Sequence, residues 1–517
     1  MSDKIINFQQ RRELEQAILK LAETPNEVAV ADAARRIMQE FSAEAVLPAL
    51  LKHLETADSQ LRGGLGYLAA LLPSDIAIEA LRTATADRRR SPLARMTAAA
   101  IAQRFLGVES PAALTSALGG ADEAAQQSLR EAIEAGKRNR HVLLEYVEQM
   151  RQLGEEIAFL VLGALGRIAP VDQVDLLRLI ALDTRPRVSK AALAALEALS
   201  STAAGLAAVR ALHAVQPLLP AELAAQAARG ERKLRMAGHR YEPPSTDGWR
   251  ALLSPSDPNG NQVVWLVKMP PENGPPGVLL GLTVNLGAGI VRFFGSETVD
   301  GSVLPARQAV GNLLTVENDT GESSVVLEAP FDYGRWLVWQ ALRAHLATDQ
   351  TQPIPGELQL YSDQVTQFGP PQVDDALLAY WHSPPSNNTQ LDKSDLETAT
   401  AELFAHPALA HWLLPGRAIL QATPAAQRPD PQLPLSEIVQ VLLREIERWP
   451  ESAALAPSLE RALRGQAVWL HVAGHPTLAG AADRLARAMP VLAVPDNPVL
   501  AHMLAVGLGR PRPNRKA

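Results

Sequence analysis

The first 230 residues carry apolar and small residues in a pattern that repeats about every 32 positions. The start of one helical pattern recurs at six positions, 31 to 33 residues apart: Val28, Leu61, Ala94, Ala125, Ile157 and Val188. Five positions further on, most residues are small or apolar: Ala33, Gly66, Ala99, Arg130, Leu162 and Leu193. A fixed period of about 20–50 residues indicates stacked supersecondary units. The pattern therefore predicts a mainly α fold that begins with an α-solenoid.

Each repeat is predicted to be a pair of helices. The clearest unit begins at Ile157 with the apolar helix IAFLVLGALGRIA, and Pro170 then stops that helix. The next segment, DQVDLLRLIALDT, predicts a second helix with Asp172 as its N-cap. One such pair cannot bury its apolar face alone, so neighbouring pairs are expected to stack and share a core.

Three features carry a resemblance to a known family. They are the small-and-leucine first helix (Gly163, Ala164, Leu165, Gly166), the break at Pro170, and the leucines of the second helix. Arg62 and Arg95, one place after the start of two units, also fit the family pattern. Gln126, Ala158 and Ser189 occupy the arginine position in other units. The chain resembles the HEAT-repeat family over about residues 25–235. The resemblance implies a curved right-handed superhelix that holds other macromolecules. The alternative is a helical array without a superhelical groove.

The chain changes character near residue 240. All eight tryptophans and 30 of the 39 prolines lie beyond it. The segment 231–248 is predicted to be the join, because a charged helix end leads into Pro243, Pro244 and a polar turn. We predict three domains: a HEAT-like α-solenoid (1–238), a small α+β domain (249–352) and a C-terminal helical bundle (374–508).

The middle domain is predicted from β-branched runs and one amphipathic helix. The strand candidates are NQVVWLVKM, GVLLGLTVNL, IVRFF and SSVVLEA, each preceded by a turn signal. The segment FDYGRWLVWQALRAHLA predicts a helix with Trp336, Trp339, Leu342 and Leu346 facing inward. Further on, RALRGQAVWLHVAG and PTLAGAADRLARAM predict a helical hairpin that turns at Gly474. The final residues, GRPRPNRKA, predict a disordered basic tail.

Composition narrows the function classes. Residues 1–240 hold 30 Lys/Arg and 28 Asp/Glu, and the rest hold 19 and 28, so neither part is strongly basic. There is no cysteine, which excludes disulfides and thiolate chemistry. The N-terminus shows no signal-peptide pattern, and no apolar run is long enough to span a membrane. We expect a cytoplasmic protein that does not enter the membrane.

Several motifs could carry chemistry, and each has a structural explanation. His471 and His475 are spaced i, i+4 and could bind a metal, but Gly474 and Pro476 predict that the helix ends between them. Gly287 and Gly289 lie between two strands, which favours a hairpin turn over a dinucleotide site. The adjacent carboxylates Asp374–Asp375 and Glu155–Glu156 are expected at N-caps or on solvated surfaces. Tryptophans 249, 265, 336 and 339 could line a ligand pocket, but their periodicity favours the core.

Two basic clusters raise the alternative of nucleic-acid binding. They are Arg88–Arg90 and the group Lys137, Arg138 and Arg140, each in a predicted turn. HEAT-like alkylpurine glycosylases bind DNA with basic surfaces. Against this, Asp87 offsets charge, and residues 1–240 contain six aromatics and no tryptophan on which bases could stack. Some HEAT-like proteins are bilin lyases or glycosylases, but no catalytic constellation supports an enzyme here.

The sequence therefore predicts a non-catalytic scaffold or adaptor that binds a protein partner and needs no cofactor or metal. The binding surface would be concave and lined by the second helices of the pairs. Six polar residues are predicted to face the partner: His53, Arg82, Glu145, Gln149, Arg178 and Arg210. A rigid surface lowers the ordering cost of binding an extended partner.

Overall fold

The structure is a computed structural model that describes residues 8–24, 27–56, 59–87, 89–108, 121–270, 276–317, 323–347, 353–386 and 392–509. Pro25, Arg88 and the predicted tail after Gly509 lie outside the described residues. The fold is mainly helical and contains one six-stranded antiparallel sheet. It forms two compact units, Met1–Leu212 with Arg229–Arg240, and His213–Ala228 with Tyr241–Ala517.

The described part of the chain is helical up to Met236. Its helices are α1 (Phe8–Leu19), α2 (Glu27–Glu40), α3 (Ala43–Lys52), α4 (Ser59–Ala70), α5 (Ser74–Ala86), α6 (Pro92–Leu106), α7 (Ala121–Gly136), α8 (His141–Gln152), α9 (Glu155–Leu165), α10 (Pro170–Ile180), α11 (Pro186–Ala198), α12 (Gly205–Val215) and α13 (Ala221–Met236). We call α2, α4, α6, α7, α9 and α11 the first helices, and α1, α3, α5, α8, α10 and α12 the second helices.

First helices pack against first helices in chain order, from α2 through α4, α6, α7 and α9 to α11. Second helices also lie side by side, α1 with α3, α3 with α5, and α8 with α10. The residues that start the repeats at Leu61, Ala94 and Val188 are buried in these contacts. Each pair therefore completes its core with its neighbour rather than alone.

Prolines set the starts of several helices. Pro92, Pro170 and Pro186 are each the first residue of a helix, where the missing N–H has no intrahelical partner to lose. The prediction that Asp172 is the N-cap of α10 is wrong, since the helix already begins at Pro170. Asp172 lies in the first turn instead, where its carboxylate is 3.2 Å from the Lys137 ammonium.

The residue directly after the start of a repeat connects that repeat to the preceding helix pair. We call this connection a joint. In three repeats this side chain donates a hydrogen bond to a backbone carbonyl at the end of the helix pair before it. The bonds join Arg62 to Thr56 at 3.1 Å, Arg95 to Thr85 at 2.8 Å and Ser189 to Ala181 at 2.6 Å. Ser189 thus makes the same kind of bond although it departs from the arginine pattern.

The sheet lies in the second unit and has the strand order β4-β3-β2-β1-β6-β5. Its strands are β1 (Trp249–Leu253), β2 (Asn261–Lys268), β3 (Gly277–Asn285), β4 (Gly289–Val299), β5 (Leu313–Glu317) and β6 (Ser323–Ala329). The sequence predicts β2, β3, β4 and β6 but misses β1 and β5. Both are five residues long, too short to show a clear alternation of apolar and polar residues.

Helix α14 (Phe331–Ala347) packs on strands β1 to β4. Its buried face is Tyr333, Gly334, Arg335, Leu337, Val338, Ala341, Leu342 and His345. Of the four residues predicted to face inward, only Leu342 is fully buried, while Trp336, Trp339 and Leu346 are half-buried. A side-chain carbon at Gly334 would lie 2.6 Å from Ala251 of β1, so the close approach of helix and sheet uses this glycine instead of the bulky tryptophans.

Further helices complete the second unit. They are α15 (Gly356–Leu360), α16 (Ser362–Val365), α17 (Asp375–His382), α18 (Lys393–Phe404), α19 (Gly416–Ala422), α20 (Leu435–Ile446), α21 (Leu455–Val472), α22 (Pro476–Ala488) and α23 (Pro498–Gly509). As predicted, α21 and α22 pack as a hairpin with Gly474 at the turn, in a left-handed conformation with φ of 81°.

The sheet and the C-terminal helices belong to the same compact unit. Two indole N–H groups connect them, because Trp412 donates to the Ser256 carbonyl at 2.7 Å and Trp469 donates to the Leu253 carbonyl at 3.1 Å. Both tryptophans are buried. Residues 249–352 and 374–508, predicted as separate domains, therefore share buried contacts.

Candidate interaction surface

The six residues predicted to face a partner all lie in or beside second helices. His53 follows α3, Arg82 is in α5, Glu145 and Gln149 are in α8, Arg178 is in α10 and Arg210 is in α12. Arg82, Glu145, Gln149 and Arg210 are exposed, and His53 is half-buried. These five side chains are thus accessible on the helices that the prediction assigned to them.

Arg178 does not fit the prediction, because only 2 % of its surface is exposed. Helix α10 is buried from Gln173 to Ile180 on almost every side, apart from Asp175. The carboxylate of Asp175 lies 3.7 Å from the Arg178 guanidinium. A buried side chain cannot contact an approaching partner, so Arg178 is not part of the candidate surface.

An open groove of about 590 Å³ runs between the second helices α3 and α5. Its apolar lining includes Leu51, Ile76, Ala80 and Ala84, and its polar lining includes Asp75, Glu79, Thr83, Asp87 and Arg90. Ile76, one of the lining residues, is 53 % exposed. We call this feature the α3–α5 groove.

A second groove, of about 390 Å³, lies on the other side of α3, against α1. It is lined by Leu14, Glu15, Glu44, Ala45, Pro48, Ala49 and Lys52. The Lys52 ammonium donates a hydrogen bond to Glu15, and this bond together with the lysine charge lowers the pKa of Glu15. We call this feature the α1–α3 groove; the two grooves lie on the two sides of α3.

His53 lies at the end of α3, close to the charges of the α1–α3 groove. Burial lowers the pKa of its imidazole, Glu15 opposes this shift, and Lys52 adds to it. Its buried Nε2 atom has no hydrogen-bond partner among the described residues. The folded chain therefore favours the neutral form of this histidine.

The lowered pKa of His53 predicts a pH dependence. The unfolded chain binds a proton near pH 6.5, whereas the folded chain resists it until a lower pH. The stability that His53 contributes is thus present above pH ~6.5 and is lost as the pH falls toward its folded pKa. We expect the urea midpoint, followed by far-ultraviolet circular dichroism, to fall less in His53→Gln than in the wild type between about pH 7.5 and 5.5. An equal fall in both proteins would contradict this assignment.

One residue of each basic cluster has acidic or carbonyl partners. Arg90 donates to the Leu51 carbonyl at 2.7 Å and lies 4.0 Å from Asp87. Lys137 lies 3.3 Å from Glu134 and 3.2 Å from Asp172, and these partners raise its pKa. Both clusters therefore direct part of their charge at the protein itself.

The histidine pair predicted at a helix end is found there. Helix α21 ends at Val472, so His471 is in its last turn and His475 lies beyond it, at the start of α22. The His471 Nδ1 atom is 3.0 Å from the Tyr380 hydroxyl. The two imidazoles therefore do not share a continuous helix face.

The remaining motifs have structural roles. Gly289, with φ of 100°, begins β4 directly after the turn from β3, so the glycine-rich string is a hairpin turn as predicted. Asp374 caps α17 by accepting a hydrogen bond from the Ala376 N–H at 2.9 Å, also as predicted. Trp249 and Trp265 lie on opposite faces of the sheet, since they occupy alternate positions in the β1–β2 register. The tryptophans therefore do not line one shared pocket.

Sequence reasoning missed the residues of the α3–α5 groove. A usable signal was present: Asp75, Glu79 and Thr83 follow at intervals of four on the exposed side of α5, with Ile76 and Ala80 one position further on. This spacing places a polar row, acidic at Asp75 and Glu79, beside an apolar row. The groove itself depends on where α3 lies, which the pattern of α5 cannot give.

Comparisons with protein-family models, with curated proteins and with solved structures find no match. Among the described residues, no group of three or more His, Cys, Asp or Glu side chains is placed to hold a metal ion. None of the described helices is both long and apolar enough to cross a membrane.

Proposed function

We propose that this chain is a non-catalytic scaffold or adaptor that binds a protein partner along the second helices of a HEAT-like α-solenoid. The observation that carries the proposal is the pair of open grooves on the two sides of α3. Grooves between neighbouring helices can take side chains from an extended partner without a large rearrangement of the scaffold.

Two further observations support a HEAT-like arrangement. First helices contact first helices in chain order, and three neighbouring pairs of second helices, α1–α3, α3–α5 and α8–α10, also contact each other. Three joints use the same position of the repeat. At this position Arg62, Arg95 and Ser189 each donate a hydrogen bond to a backbone carbonyl of the preceding helix pair. In the proposal, the helices of the second unit that follow the sheet form a bundle, and the protein acts in the cytoplasm.

Affinity purification from the native host tests this function. The bait is the full chain, as wild type or as a second-helix variant that combines Arg82→Glu, Glu145→Lys and Gln149→Arg. The control combines Arg36→Glu, Gln39→Arg and Glu40→Lys, which makes the same charge changes at exposed positions of the first helix α2. We expect the second-helix variant to lose proteins that the wild type and the control retain.

Recovery of the same proteins by both variants would contradict the proposal. The nucleic-acid alternative is tested in parallel with a labelled DNA duplex at low salt. Phosphate contacts dominate such binding and weaken steeply as salt rises. Tight binding of the duplex with this salt dependence would favour the alternative, and we expect none.

A further inference from the structure

The α3–α5 groove has room for side chains from outside the chain. Its volume of about 590 Å³ lies within the range of pockets that hold ligands, roughly 300–1,000 Å³. The small side chains of Ala80 and Ala84 leave this space open, and Leu51 and Ile76 add apolar surface beside it. An apolar side chain placed here would be removed from water on several sides.

The polar residues of the α3–α5 groove determine which charge is favoured in a bound ligand. Asp75, Glu79 and Asp87 contribute three carboxylates to the lining, and Arg90 contributes one guanidinium. That guanidinium already donates to the Leu51 carbonyl and lies near Asp87. The excess negative charge favours lysine or arginine and disfavours the phosphates of a nucleic acid.

The α1–α3 groove, on the other side of α3, also combines small apolar residues with acidic side chains. It has small lining residues, Ala45 and Ala49, and an acidic side chain, Glu44, while Glu15 is engaged by Lys52. Neighbouring packed helices lie roughly 8–10 Å apart. A polyproline II segment advances about 9 Å in each turn of about three residues, so every third side chain returns to the same face. Its step thus matches the general spacing of neighbouring packed helices, such as those that line the two grooves.

We propose that the two grooves bind a basic, proline-rich segment of a protein partner in the polyproline II conformation, with an apolar side chain in each groove. One apolar side chain lies over Ala80 and Ala84, and another, three residues away in the segment, lies over Ala45 and Ala49. A lysine or arginine between them lies beside Asp75 and Glu79. This inference rests on the protein-binding role proposed above.

Fluorescence anisotropy with the full chain and labelled proline-rich peptides tests the inference. The reference peptide carries leucine at every third position and lysine between. We expect it to bind, and we expect peptides with leucine at every second or every fourth position to bind at least about tenfold more weakly, since one apolar side chain then misses its groove. Exchanging the lysines for glutamates should abolish measurable binding.

Variants of the protein locate the site. Ala80→Trp fills the α3–α5 groove and should weaken the reference peptide at least about tenfold. Ala86→Trp is the matched control, because Ala86 is exposed on the same helix and does not line the groove. The double exchange Asp75→Lys and Glu79→Lys, at exposed positions, should weaken binding and reduce its salt dependence, whereas Glu40→Lys on α2 should change neither.

Equal binding of all peptide spacings, or equal affinity in Ala80→Trp and the wild type, would overturn the inference. The inference would also fail if the wild type self-associates, Ala80→Trp abolishes this self-association and the peptides do not bind. The occupant of the groove would then be a second copy of the chain. If the second-helix variant loses its partners and Ala80→Trp retains them, this inference fails and the proposed function stands. If neither variant loses partners, both fail.

Discussion

Replacing Glu328 by alanine is expected to lower the free energy of unfolding of the second unit by about 3–5 kcal/mol. The Glu328 carboxylate lies 3.0 Å from the Arg250 guanidinium, and each residue is only 2 % exposed. Burial raises the pKa of Glu328 against the effect of Arg250, and burial lowers the pKa of Arg250 in turn. Loss of the carboxylate leaves a cation without its partner in a dry environment.

The double variant Arg250→Met with Glu328→Leu should recover most of this loss. Apolar residues of similar size remove the cost of desolvating both charges. Tryptophan fluorescence during urea unfolding measures the effect, because all eight tryptophans lie in the second unit. Glu437→Ala, at an exposed position of α20, is the control and should change stability little. A double variant no more stable than the single one would contradict this account.

Replacing Asp183 by alanine is expected to lower the stability of the first unit by about 3 kcal/mol. The Asp183 side chain has no exposed surface, and it accepts two hydrogen bonds from the Arg185 guanidinium, at 2.8 and 2.7 Å. The Arg185 backbone N–H donates a third bond at 2.9 Å, and Arg151 lies 3.9 Å away. Without the carboxylate, two partly buried guanidinium groups lose their counter-charge.

Circular dichroism at the helix band during urea unfolding measures this loss, because the first unit is helical and has no tryptophan. Asp32→Ala is the matched control, because Asp32 pairs with Arg35 on an exposed face of α2. Exposed pairs of this kind contribute about 0–1 kcal/mol. Equal effects of Asp183→Ala and Asp32→Ala would show that the buried carboxylate has no special role.

Local patterns predicted the helix pairs well, because their signals lie within one segment. The segment beginning at Leu61 predicts a helix, a break at Pro73 and Ser74, and a second helix, and the structure has α4 and α5 there. The recurring small residue at Gly66 was also visible. Its physical reason was not, because a side-chain carbon there would lie 2.2 Å from the ring of Phe105, 39 positions away in the sequence.

The structural features that could not be predicted from the sequence depend on contacts between residues far apart in the chain. Strand β1 contains a buried arginine, and its partner Glu328 lies 78 residues further on, so the apolar pattern is broken at Arg250. Arg178 was predicted at the surface from its place in one helix, but neighbouring helices cover α10 almost completely. The candidate grooves arise only where two second helices from different repeats meet.

The joints between helix pairs bear on how this region would respond to mechanical tension. Each joint at Arg62, Arg95 and Ser189 is closed by its own side-chain bond to a carbonyl, together with contacts between neighbouring helices. In the proposed solenoid, such joints would rupture one after another under a pulling force. Each rupture would release one pair, roughly 30 residues or up to about 100 Å of extended chain, so the region could lengthen in steps while the remaining pairs stay folded.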